Sequence, residues 1–134
     1  MNRLQQIYDF VCRHLLTQNR RAFGGDGKCK YLTDDGLKCA AGCLFIGHDP
    51  SMENVAFYRF DSSMLQTAFG AQAASLTDDE RYLISSLQES HDSLIESEWP
   101  DGIIRLSERY GLTPFTHDDL PGPRGRVNPF ANPQ

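Results

Sequence analysis

The sequence predicts an α+β fold, mainly helical: about four helices around one β-hairpin, followed by an extended proline-rich C-terminal tail. Three observations carry this expectation. Apolar residues recur at helical spacing over 3–18 and again after Thr77. Asp34-Asp35-Gly36 is a turn sequence between two short alternating runs. Proline and glycine crowd the last stretch, PFTHDDLPGPRGRVNPFANPQ. Residues 1–112 read as a single compact domain and 113–134 as the tail.

The first helix is expected from Arg3 to Gln18, with Asn2 as its N-cap. Leu4, Ile7, Tyr8, Val11 and Leu15 form its buried stripe. Gly24-Gly25-Asp26-Gly27 reads as a loop and lacks the spacing of a phosphate-binding loop. In the hairpin, Cys29–Thr33 and Leu37–Cys39 flank a turn in which Gly36 takes positive φ without a Cβ clash. Cys29, Tyr31, Leu37 and Cys39 then share one face, with Lys30, Leu32 and Lys38 on the other.

Ala40 to Ile46 reads as a short buried helix in which Gly42 permits close backbone approach. The aromatic run from Asn54 to Phe60 suits a strand or an irregular packed segment, and Ser62 to Phe69 suits a short helix. Thr77 and Glu80 form a capping box for a helix reaching about Glu96, with Leu83, Ile84, Leu87, Leu94 and Ile95 inward. Pro100 should stop that helix, and Asp101 should cap a last one through Tyr110, with Gly111 as its C′ residue.

At 134 residues and 40% hydrophobic content, the chain suits one soluble globular domain. No apolar run approaches the ~20 residues of a membrane span. MNRLQQIYDF lacks a signal-like apolar core, so an intracellular setting is expected, with the four cysteines as thiols or ligands rather than disulfides. The net charge of -5 is uneven. Seven Lys/Arg oppose four Asp/Glu up to His48, whereas four oppose fourteen from Asp49 to Leu120. That acidic middle disfavours nucleic acid as a partner and favours a basic protein.

The stretch CKYLTDDGLKCAAGCLF resembles a core, C-x-Y-x-x-x-D-G-x-K-C-A-x-G-C-L-I, of small proteins from tailed bacteriophages and prophages. Cys29, Tyr31, Asp35, Gly36, Lys38, Cys39, Ala40, Gly42, Cys43 and Leu44 match, while Phe45 replaces an aliphatic residue. His14-Leu15-Leu16, Leu87-Gln88 and His91-Asp92 extend the likeness, which stops short of the tail. It implies a phage-encoded protein of the host cytoplasm and no particular activity.

Three functional readings follow. Cys29, Cys39, Cys43 and His48 offer three sulfurs and a nitrogen for zinc, although their spacing is not a standard zinc pattern; buried apolar thiols are the alternative. Cys39 near a helix start would be the nucleophile of a thiol enzyme, with His91 as base and Asp92 as its orienter. Against this, neighbouring side chains on a helix diverge by roughly 100°. The favoured reading is a phage accessory protein that modulates or inhibits a host or antiviral-defence protein. Eight acids and one Arg lie within 78–101, and Glu89, Asp92, Glu96 and Trp99 are the expected contact residues. Trp99 would serve only if exposed; otherwise it packs between the last two helices.

Overall fold

The computed structural model describes residues 2–131. α1 (Arg3–Gln18) begins where the Asn2 side chain accepts the Gln5 N–H at 2.9 Å. It ends at Asn19, left-handed at φ 49°, whose N–H returns to the Leu15 carbonyl. Its buried face is Ile7, Tyr8, Val11, Cys12, Leu15 and Leu16, with Asp9 buried beside them.

The expected hairpin is absent, and the fold class is corrected from α+β to all-α: no β-strand occurs among the described residues. Between α1 and residue 60 there are only two isolated antiparallel bridges, Phe23 with Cys29 and Leu32 with Lys38. The chain does turn at Gly36, where φ is 90°. Thr33 N–H donates to Leu37 and Cys39 N–H to Tyr31. A ladder goes no further because the Tyr31 N–H, which would face Cys39, donates instead to the Glu53 carboxylate. The helix expected over 40–46 is a turn plus a single 3₁₀ turn, Gly42–Leu44.

Two more 3₁₀ turns follow, Pro50–Asn54 before the aromatic segment and Phe57–Arg59 within it. Phe45, Phe57, Phe60 and Tyr31 form one ring cluster there. α2 (Ser62–Phe69) is capped by Asp61 and ends at Gly70, φ 61°. α3 (Asp78–Ser93) opens on the Thr77–Glu80 capping box, with bonds of 3.1 and 2.8 Å. α3 stops at Ser93, short of Glu96, and Glu96–Glu98 forms a linking 3₁₀ turn. α4 (Trp99–Tyr110) starts one residue before Pro100. Proline therefore opens this helix, since its missing N–H is no loss in a first turn, and Asp101 lies inside the helix rather than capping it.

α1 packs against both α3 and α4. Residues beyond Gly111 join the same core. Phe115 is fully buried, and its N–H donates to the Tyr8 hydroxyl at 3.2 Å. Phe130 lies 4.4 Å from the Phe69 ring and under the Arg3 guanidinium. Arg13 gathers the carbonyls of Asp119, Leu120, Gly122 and Arg124, and Arg124 pairs with buried Asp9 at 2.5 Å. No helix among the described residues is long and apolar enough to cross a membrane.

Candidate functional site

A cleft of about 790 Å³ opens beside α3. One wall is the loop carrying Lys28, Cys29, Lys30 and Tyr31, and the floor is the 53–58 segment. The other wall is the outer face of α3, where Tyr82, Ser86, Glu89 and Ser93 recur every three or four residues. Tyr58 and Tyr82 are 66% and 63% exposed, with the Arg59 guanidinium already over the Tyr58 ring. Ser85 also lines the cleft; its Oγ is shielded from solvent and has no hydrogen-bond partner among the described residues.

At the cleft wall the structure brings together Cys29, His91 and Asp92, whose ligating atoms lie within 4.8 Å of one another. His91 is fully buried and stacks on Trp99, with ring centroids 5.5 Å apart. The Ala22 N–H donates to His91 Nε2 at 3.1 Å. Nε2 is therefore an acceptor, and the ring proton sits on Nδ1, 2.8 Å from Asp92 Oδ1. Gln88 donates to the same oxygen at 2.9 Å. His91 and Asp92 thus meet although they are sequence neighbours, because the Asp92 side chain curls back toward the ring.

The cluster is the sole His/Cys/Asp/Glu group of metal-binding compactness among the described residues, and it is not the predicted one. Cys29, Cys39, Cys43 and His48 are not brought together. Cys39 is buried and its Sγ accepts the Gly42 N–H; the Cys43 thiol donates to the Ala40 carbonyl. His48 Nε2 is 2.7 Å from Glu53. A metal at Cys29, His91 and Asp92 would need a thiolate and a free imidazole lone pair. The lone pair is not free: Nε2 accepts the Ala22 N–H and Nδ1 carries the proton facing Asp92. The donor set does not fit zinc as it stands.

The same chemistry bears on a thiol nucleophile. Burial raises Cys39 well above its ordinary range, and Cys12 and Cys43 likewise. Iodoacetamide at pH 8 is therefore expected to leave the native protein essentially unlabelled, while the denatured chain takes up four labels. Rapid native labelling of Cys39 by mass spectrometry would reinstate it as a nucleophile.

Of the four expected contact residues, Glu89 and Asp92 line the cleft. Glu96 instead accepts the Arg21 N–H, and Trp99 is fully buried with its indole N–H on the Leu94 carbonyl. Trp99 is thus a core residue and offers nothing to a partner. The tyrosines and lysines of the cleft escaped the sequence reading. Only the spacing of Tyr82, Ser86, Glu89 and Ser93, one aromatic-polar helix face, signals them. Compared with known proteins, the chain matches no family model, no curated protein and no solved structure.

Proposed function

We propose that this protein is a binding module that holds a basic segment of a partner protein in the cleft between the 28–31 loop, the 53–58 segment and α3. One observation carries the reading. Glu89 stands on the cleft wall with no hydrogen bond or ion pair among the described residues, alongside the exposed rings of Tyr58 and Tyr82. A carboxylate beside aromatic faces suits an ammonium or guanidinium group, through charge-assisted hydrogen bonding and cation–π attraction. The Arg59 guanidinium, 5.9 Å from the Tyr58 ring centroid, already makes such a contact.

The resemblance to small tailed-phage proteins supplies the setting. The partner is then a host protein, met in the host cytoplasm and inhibited or modulated when its basic segment is occupied. A photo-crosslinking amino acid in place of Tyr82 tests this in host cells. One host protein is expected to crosslink at the cleft, and Glu89→Lys should remove the adduct. No adduct, or one indifferent to Glu89→Lys, would sink the reading.

A further inference from the structure

The cleft has a second charged lip. Lys28 and Lys30 line it opposite the α3 wall, and neither ammonium forms an ion pair among the described residues. Asp26 is a competing anion on the same loop. Its carboxylate accepts the Lys28 N–H at 3.0 Å, and that bond, with smaller contributions from the Lys30 and Lys28 charges, holds it below the usual range, yet it forms no ion pair with either lysine. Lys30 is held in place by its stem: its outer methylenes pass so close over Gly24 that a Cβ there would stand 2.1 Å from Cε. The two lips therefore carry opposite sign, with Glu89 and Asp92 on α3 and the two lysines on the loop.

A uniformly basic segment is attracted by one lip and repelled by the other, a cost that would select against it. Resting on the binding-module reading above, we infer that the cleft recognises a mixed-charge segment: an Arg or Lys that faces Glu89 and Asp92, and an Asp or Glu that faces Lys28 and Lys30. The tyrosine rings hold the chain between these two contacts. Glu53, although it lines the floor, takes no part, because both its oxygens are occupied, Oε1 by the Tyr31 N–H and Oε2 by His48 and the Leu32 N–H, whereas the bonds from His91 and Gln88 to Asp92 both fall on Oδ1.

Selection of a displayed random heptapeptide library on the immobilised full chain tests this. Enriched peptides should carry both a cation and an anion. Glu89→Lys should abolish the preference for the cation, and the double variant Lys28→Glu/Lys30→Glu the preference for the anion. In a synthetic copy of the best peptide, Gln in place of its acidic residue should weaken binding about tenfold by fluorescence anisotropy. That loss should vanish on the double lysine variant. The substituted residues lie outside the core, so folding is spared, and circular dichroism checks it. Enriched peptides with a cation but no acidic residue would overturn the two-charge inference and leave the basic-segment reading standing. Enrichment no greater than on a Tyr82→Ala protein would overturn both.

Discussion

Gly42→Ala is expected to destabilise the protein by about 3 kcal/mol, the upper end of the range for overpacking. A Cβ at this position would stand 2.0 Å from the Tyr31 carbonyl oxygen and 2.7 Å from its carbon. Both are backbone atoms, so no rotamer change relieves the clash. The 31–33 segment must move, which strains the Cys39 N–H bond to Tyr31 and the 2.6 Å bond from the Tyr31 hydroxyl to Val55. Because Tyr31 lines the cleft, its wall shifts too. Urea unfolding followed by Trp99 fluorescence should show a midpoint lowered by more than about 1 M. Gly25→Ala is the control: nothing lies within 4 Å of its added Cβ, and its midpoint should hardly move. Equal midpoints for the two variants would show that the Gly42 approach is looser than described here.

Trp99→Ala should cost about 3–5 kcal/mol, the range for emptying a large buried aromatic site. For a domain of ordinary stability, about 5–15 kcal/mol, that is a large fraction of the whole. The loss has three parts: the cavity, the indole bond to the Leu94 carbonyl, and the ring that stacks on His91. The third reaches the cleft, since His91 positions Asp92. Trp99→Phe keeps a ring but not the N–H, and should fall between wild type and alanine. Denaturation followed by far-ultraviolet circular dichroism measures both. A cost below about 1 kcal/mol for alanine would mean that the site collapses around the gap.

The helices were legible because their signals are local. Asn2 and the Thr77–Glu80 box announce α1 and α3 within four residues, and the stripes of Ile7, Val11 and Leu15 or Leu83 and Leu87 point inward. The hairpin failed because what denies it a ladder is distant: Glu53 reaches back 22 residues to take the Tyr31 N–H that would have faced Cys39. Pro100 was ambiguous for another reason. Proline ends one helix and opens the next equally well, and only the position of Trp99 decides. At the site, Glu89 and Asp92 were readable as acidic surface. The cleft they line needs three segments assembled, and no local pattern joins Lys28 to Tyr58 and Tyr82.

The Arg13 clamp bears on how the chain is made. Its side chain binds carbonyls 106 to 111 residues later. At a synthesis rate of about 10 residues per second, α1 waits about 10 s for these partners. Phe115 reaches Tyr8 on a similar delay, and Phe130 reaches Phe69, 61 residues before it, after about 6 s. Until α3 and α4 have emerged to cover it, the apolar stripe of α1 is available to chaperones and to neighbouring nascent chains. Completion of the core is thus a late step in biosynthesis, closed by contacts of long sequence separation, which also slow folding in the test tube.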